Sequence, residues 1–304
     1  MHRSLTVFLS GARMRDPPLD DPAYVALYRV FAEETTALGA RFSFARGQDT
    51  YLGGNRFDGG WRYDNGDFIR DPGVIDADIV YNKGEMLAYD ANANVVNRRE
   101  LDALCRNKDR TVAAMEDLFP ATRIVRSAEE LPAAIMAIPS EMIVQKPTDA
   151  WGGAGVWIGP KKDAEAHVPR FPCLVQAFID TSAGIPGITD GRHDFRLILF
   201  DADPAIALLR VPRKGSLLAN VAQGGSIRQV PLSAVPREAL ALKERVNARM
   251  ERYGKRVYSM DCARGVDGSW KLIELNPQPG LAYLANEDER RAYLRKLSLF
   301  LLDA

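Results

Sequence analysis

The stretch Val144-Gln145-Lys146-Pro147-Thr148-Asp149-Ala150-Trp151-Gly152-Gly153-Ala154-Gly155-Val156-Trp157 restricts this chain more than any other. An apolar strand ends in a lysine, a glycine-rich loop comes next, and a second strand begins. Glycines let successive backbone N–H groups converge on phosphate oxygens without Cβ interference, and the lysine supplies a point charge for the same oxygens. The spacing is neither that of a Walker A loop nor of a GxGxxG turn opening a helix, because the residues after the loop read as strand. Two readings stand at this point: a phosphate-binding hairpin, or a hairpin whose glycines serve only its turn.

Before this loop the chain alternates strand and helix. Residues 4–11 read as a buried strand, and residues 21–38 carry Val25, Leu27, Tyr28, Phe31 and Ala32 at helical spacing. Another strand lies around Phe42 and Phe44. Asn65-Gly66, between Trp61-Arg62-Tyr63 and Phe68-Ile69, marks a hairpin within residues 53–71. Asp78-Ile79-Val80-Tyr81 is a further strand, ending in Asn82-Lys83-Gly84. The N-terminal third therefore predicts a small open α/β domain with one inserted hairpin. Ligands of such sheets sit beyond the carboxyl ends of strands, which makes Asn82 and Lys83 candidate substrate residues.

Further along, the pattern predicts one helix over residues 98–119, stopped by Pro120, then strands over 124–126 and 142–146 around a helix at 128–137. Strands come next at 173–179, 194–200 and 205–212, then a long amphipathic helix at 236–254. A strand pair at 257–261 and 270–276 and a closing helix at 287–302 complete the order.

Composition excludes some partners. Lys+Arg and Asp+Glu balance at 40 each, so no overall field favours nucleic acid or an anionic membrane. Apolar runs such as residues 197–200 and 297–302 fall far short of the ~20 residues of a membrane span. The basic start and brief apolar stretch at the N-terminus lack a clear small-residue cleavage site and read as a first strand. Cys105, Cys173 and Cys262 are odd in number and widely separated, with neither a disulfide framework nor CxxC metal spacing, so a reducing cytoplasm is expected.

Two more constellations carry chemistry. Glu274 and Asn276, two apart in Lys271-Leu272-Ile273-Glu274-Leu275-Asn276-Pro277, point to one face of a strand, and Asp261 ends the partner strand. Two carboxylates and an amide oxygen are hard ligands suited to Mg²⁺ shared with nucleotide phosphates. A solvated strand end is the plainer alternative, which the apolar neighbours Ile273 and Leu275 weaken. Arg196, in His193-Asp194-Phe195-Arg196, and Arg210, in Leu209-Arg210-Val211-Pro212, lie in apolar strands where an unpaired charge is costly. A clamp on a phosphoryl group or carboxylate and a structural salt bridge both account for them. Asn220 with Gly224 and Gly225 falls in a polar stretch, residues 215–225, that reads as a lid.

Taken in order, these segments resemble the ATP-grasp superfamily, and within it the glutathione synthetase-like carboxylate–amine ligases. The likeness runs from about Asn97 to Pro279 and rests on Lys108, Lys146 with its glycine loop, Leu174-Val175-Gln176-Ala177-Phe178-Ile179, Asp194-Phe195-Arg196, Arg210, Asn220 with Gly224-Gly225, and Asp261 with Glu274-x-Asn276. It implies an α/β (α+β) ATP-grasp fold: an N-terminal open α/β domain at 1–104, a small lobe with the phosphate loop at 105–180, and a C-terminal lobe with the Mg²⁺ and substrate site at 181–304. ATP would lie between two antiparallel sheets, with Lys108 and Lys146 on its phosphates and Gly152, Gly153 and Gly155 in a flexible lid. The backbone of Gln176, Ala177 and Phe178 would meet adenine, and Asp180 the ribose. Asp261, Glu274 and Asn276 would hold Mg²⁺, two ions in number with Mn²⁺ a substitute. Arg196, Arg210 and Asn220 would be catalytic, stabilising an acyl-phosphate and the tetrahedral intermediate formed when an amine attacks it.

The implied activity is an ADP-forming ligase acting on a small amino acid or peptide-like carboxylate, with small-molecule or peptide partners and a homo-oligomer admitted. His193 is the one histidine near the implied site and is a candidate for substrate contact. The alternatives are a kinase that phosphorylates a small-molecule hydroxyl with the same apparatus, or a nucleotide-binding regulator without turnover. The hairpin within residues 53–71 lies outside the family pattern; it reads either as a substrate-recognition insertion or as a solvated surface hairpin.

Overall fold

The computed structural model describes residues 3–86, 88–150, 152–219, 224–280, 284 and 286–303. The chain divides into two compact units, one of Met1–Arg99, Lys255–Val257 and Gln278–Ala304, the other of Glu100–Gly254 and Tyr258–Pro277.

The first unit runs β1 (Ser4–Leu9), α1 (Pro22–Ala37), β2 (Arg41–Arg46), β3 (Tyr51–Gly53), β4 (Arg56–Asp64), β5 (Asp67–Asp76), β6 (Ile79–Asn82) and β7 (Val95–Val96). The strands form one seven-stranded sheet in the order β3-β4-β2-β1-β6-β7, with β5 paired to β4. β1 lies between parallel partners β2 and β6, and such a central strand is apolar because both of its faces are covered. Asp21 caps α1 by accepting the Ala23 N–H at 2.8 Å, and Pro22 occupies the first turn where its missing donor costs nothing. The expected apolar stripe is buried: Tyr28 meets Phe44 edge-on at 5.1 Å, and Phe31 meets Phe42 at 5.2 Å. The predicted hairpin is β4–β5, and Asn65 (φ 47°) and Gly66 (φ 87°) adopt the paired positive φ angles of its two-residue turn. The closing helix Glu287–Leu302 belongs to this unit, where Ser298 Oγ meets Thr35 Oγ1 at 2.9 Å.

The second unit begins with α2 (Arg99–Arg106) and α3 (Lys108–Met115). The single helix expected over residues 98–119 is thus two. Asn107 is extended (φ −102°, ψ 103°), its side chain donates to the Ala103 carbonyl at 2.9 Å, and Thr111 Oγ1 donates to Leu104 O at 2.7 Å. Local side-chain bonds thereby satisfy carbonyls that a continuous helix would have used. Then come β8 (Thr122–Val125), α4 (Leu131–Ala137), β9 (Met142–Pro147), β10 (Trp157–Pro160) and β11 (Cys173–Ala177), which build a four-stranded antiparallel sheet in the order β10-β9-β11-β8.

The chain continues through β12 (Asp194–Phe200), β13 (Asp203–Val211), β14 (Ser226–Val230), α5 (Arg237–Met250), β15 (Val257–Arg264) and β16 (Trp270–Asn276), with α6 the closing helix already described. The five strands form a sheet in the order β14-β13-β12-β15-β16. Two details depart from the sequence reading. β15 continues past Asp261 to Arg264, and the polar segment Ser226–Val230 forms an edge strand on β13. One face of this sheet carries Phe195, Leu197, Leu199, Leu209, Met260 and Leu272 into a core shared with Val112 and Met115 of α3 and Leu242, Val246 and Met250 of α5. Alternation then leaves the opposite face for polar side chains. Among the described residues, no helix is long and apolar enough to cross a membrane.

Candidate nucleotide and carboxylate site

The polar face of the five-stranded sheet is assembled by register. Asp194 stands opposite Arg210 across β12–β13, Asp261 opposite Glu274 and Ser259 opposite Asn276 across β15–β16. Directly opposed residues share a face, and so do residues two apart on one strand. Asp194, Arg196, Arg210, Asp261, Glu274 and Asn276 are therefore collected on one side. A register shift between Asp261 and Cys262 leaves Ile273 with no residue opposite it, so both Ile273 and Glu274 line the same cavity. Re-aiming a side chain in this way is what a bulge does. The Ile273 carbonyl accepts Lys146 Nζ at 3.2 Å.

That cavity lies within the second unit, between residues of both of its sheets. Lys108, Lys146, Gln176, Phe178, Arg210 and Glu274 are among its walls, with Ala150, Gly153 and Ala154 of the glycine loop. The break at Asn107 sets Lys108 at the start of α3. Its backbone N–H donates to Thr148 O at 3.0 Å, its Nζ to Ala150 O, and its Nζ stands 3.9 Å from Glu274. Gly152 and Gly153 have φ 63° and 82°. Gly155 (φ +69°) lies so close to Pro147 that a Cβ would sit 2.9 Å from its ring. Only glycine meets both conditions there.

Arg196 donates Nε and Nη2 to the two oxygens of Asp261 at 2.6 Å each, and Arg210 Nη2 reaches the same carboxylate at 2.6 Å. Arg210 also forks onto Asp194, with Nε at 3.1 Å from Oδ1. Burial alone would raise the Asp261 pKa, but the two guanidinium groups hold it well below the usual carboxylate range. Burial prevails at Asp194, whose pKa is pushed up. Burial also takes Lys146 down to about 8, against the pull of Glu274. Four cations (Lys108, Lys146, Arg196, Arg210) thus face three carboxylates (Asp194, Asp261, Glu274), an excess of positive charge suited to a polyanion.

The structure brings most of the expected residues together. Lys108, Lys146, Gly153, Gln176, Ala177, Phe178, His193, Arg210, Asp261 and Glu274 line one cavity. Arg196, 5% exposed, sits behind Asp261 and holds it. The Gln176 side chain is committed to Thr122 Oγ1 at 2.7 Å, and the N–H groups of Ala177 and Phe178 are paired with Ala121 O and Met142 O. Asp180 lies just beyond this strand, bonded to Ser182 N and Arg192. His193 is buried, its Nδ1 3.1 Å from Gly191 O and its Nε2 accepting from Arg264 N–H, and burial lowers its pKa. Gly224 (φ +84°) and Gly225 lead into β14, and Asn220 lies outside the described residues. Asn82 and Lys83 belong to the first unit, where Asn82 is fully buried and Lys83 Nζ donates to Pro279 O at 2.8 Å. Sequence reading gave two residues here no role: Asp194, quoted only within the Asp194-Phe195-Arg196 segment, and Arg192, which carried no signal.

Oxygen donors for a cation are present. Three of the roughly four lone pairs of the Asp261 carboxylate are occupied by arginine N–H groups. Its remaining lone pair, the Glu274 carboxylate and the Asn276 amide make a hard set that fits a divalent ion when nucleotide phosphates complete the shell. Among the described residues, no group of three or more His, Cys, Asp or Glu side chains is arranged to hold a metal by itself.

Two antiparallel-rich sheets, a glycine loop between β9 and β10, Lys146 at the end of β9 and Lys108 bonded to the Ala150 carbonyl define the ATP-grasp fold. A family model for the ATP-grasp domain of prokaryotic glutathione synthetase matches residues 110–266, just over half of the chain, and the chain belongs to that family. The glutathione synthetase of Vibrio cholerae serotype O1 is 30% identical over 165 residues, covering 51% of this chain and 48% of that protein. The chain spans about half the length of the curated relatives it matches. Among solved structures, a RiPP-associated ATP-grasp ligase from Chryseobacterium gregarium, in complex with ADP and a leader and core peptide, aligns with a TM-score of 0.64 at 11% identity, covering 99% of this chain and 97% of that one. D-cycloserine synthetase DcsG aligns at 0.62 and 14% identity, covering 97% and 99%. At such identities the likeness concerns the fold alone.

Proposed function

We propose that this chain is an ATP-dependent ligase that activates a small amino acid or peptide-like carboxylate as an acyl-phosphate and joins it to an amine, releasing ADP and phosphate. The observation that carries the reading is one cavity lined by Lys108, Lys146, the glycine loop, Arg210, Asp261 and Glu274.

Lys108 and Lys146 neutralise phosphate oxygens, and the N–H groups around Gly152, Gly153 and Gly155 cradle them. Asp180 takes the ribose, and residues 176–178 border the base. Asp261, Glu274 and Asn276 would hold Mg²⁺, which would offset phosphate charge there. A carboxylate oxygen of the substrate attacks the γ-phosphorus, and the bond to the β-phosphate oxygen breaks. The amine then attacks the acyl carbon, loses a proton, and phosphate leaves. Arg210 faces this chemistry, while Arg196 acts through Asp261, which it keeps ionised and fixed. Asn220 is assigned to the same catalytic group. The three cysteines are free and buried, which supports a reducing cytoplasm.

The test uses a substrate panel with the carboxylate labelled with oxygen-18. ADP release that requires both carboxylate and amine, with one labelled oxygen appearing in phosphate, is expected. Turnover with no label in phosphate overturns the acyl-phosphate. A stable phosphorylated product formed without an amine would instead identify a kinase.

A further inference from the structure

Arg192 has no part in the chemistry above, yet it stands at the cavity wall beside the segment assigned to base and ribose. Its Nη1 donates to Asp180 Oδ1 at 3.2 Å, and its guanidinium lies over the Phe178 ring at 5.8 Å. The Ser182 N–H donates to the same Oδ1 at 3.1 Å. Both donors meet the same oxygen, Oδ1, and so restrain where it lies, and the Asp180 backbone is held by Val266 N–H at 2.8 Å. Arg192 is anchored in turn, because its neighbour His193 is buried and donates its backbone N–H to Thr181 Oγ1 at 3.1 Å.

The Arg192–Asp180 pair is exposed by 37% and 46% at its two side chains. Exposed pairs contribute little to stability, so the fold gains little from this one. Left alone, a carboxylate so exposed would sample many orientations, and a hydrogen bond to a sugar hydroxyl would carry the entropic cost of stopping it. A cation resting over an aromatic ring and bonded to one oxygen of the carboxylate lowers that cost beforehand.

We propose that Arg192 is a positioning residue that sets nucleotide selectivity, holding Asp180 in the orientation that accepts a ribose hydroxyl of the bound adenine nucleotide. The inference rests on the nucleotide reading of this cavity. It adds a determinant of sugar recognition that neither the glycine loop nor the lysines provide.

The experiment is calorimetric titration of the full chain with ADP, 2′-deoxyADP and 3′-deoxyADP in the presence of Mg²⁺. The proteins are wild type, Arg192→Ala, Arg192→Gln, Asp180→Asn and the Arg192→Ala/Asp180→Asn pair. Wild type is expected to prefer ADP over one deoxy nucleotide by about tenfold, the scale of a hydrogen bond to a charged acceptor. Arg192→Ala should bring that preference to about threefold or less while leaving the affinity for the disfavoured nucleotide unchanged. Arg192→Gln should lie between, and the double variant should match Asp180→Asn. An Arg192→Ala protein that keeps the full preference, or loses affinity equally for all three nucleotides, overturns the proposal while leaving the nucleotide site standing. Wild type that binds no ADP overturns both.

Discussion

Arg196 and Asp261 form a two-point pair, Nε to Oδ1 and Nη2 to Oδ2, both at 2.6 Å, with side chains 6% and 1% exposed. The pair joins β12 to β15, and Arg210 reaches the same carboxylate from β13. A carboxylate held this way stays ionised inside the protein and remains on the cavity wall. Replacing Arg196 by Ala strips two donors from a buried charge and should cost about 3–5 kcal/mol of stability. Lys should recover part of this, since it restores the charge without the fork. Denaturant unfolding of both variants measures it; an Ala variant as stable as wild type would contradict the pairing.

Glu274 differs from Asp261 in its surroundings. Its side chain is 27% exposed, and its nearest cations, Lys108 and Arg196, stand at 3.9 and 4.0 Å. Glu274→Gln should therefore change stability by no more than about 1 kcal/mol. Mg²⁺-dependent turnover should fall by about 10²–10³-fold, the scale for removing one electrostatic group from such a site. Unchanged turnover would sink the assignment of Glu274 to the cation.

Lys146 gives a pH dependence. Burial brings its pKa to about 8, below its ordinary 10.5, so the folded protein binds its proton less tightly than the unfolded chain does. Between those two values the unfolded state holds more protons, and the lysine's contribution to stability becomes more favourable as pH rises. Phosphate binding has the opposite sign, because phosphates attract the protonated form. Nucleotide affinity should decline as pH rises through about 8, with proton uptake on binding in that range. Calorimetry in buffers of different ionisation enthalpy reads the uptake; Lys146→Arg should abolish it.

Gly155 couples loop shape to the same function. With φ +69° and a would-be Cβ 2.9 Å from Pro147, Gly155→Ala should lose about 1–2 kcal/mol through backbone strain and contact. The fold should survive, because the substitution lies in a loop, while nucleotide affinity drops. Thermal unfolding and ADP titration together check this. Loss of neither would show that the loop tolerates a side chain there.

Much of this was legible in the chain. The lysine and glycine loop, the Glu-x-Asn strand and the two arginines embedded in apolar strands each specify local geometry, because alternation decides which side chains share a face. The Asn65-Gly66 turn was equally plain, since few residues accept its φ angles. The helix break within residues 98–119 was hidden, because Asn107 and Thr111 satisfy carbonyls through bonds that helical periodicity does not encode. Arg192 left no trace for a similar reason: it matters through Asp180 and Phe178, which are near in space but separated along the chain.

By itself the sequence determined the alternation of strands and the polar face of the second sheet, and it offered a lysine beside glycines as a candidate phosphate site. These arise from local spacing and the chemistry of single side chains. Tertiary structure decided that Asp194 and Asp261 share Arg210, that the bulge at Ile273 turns two successive residues to the cavity, and that Arg196 serves Asp261 from behind. Those outcomes depend on register and burial, which set the partners of each charge and which no short stretch of sequence contains.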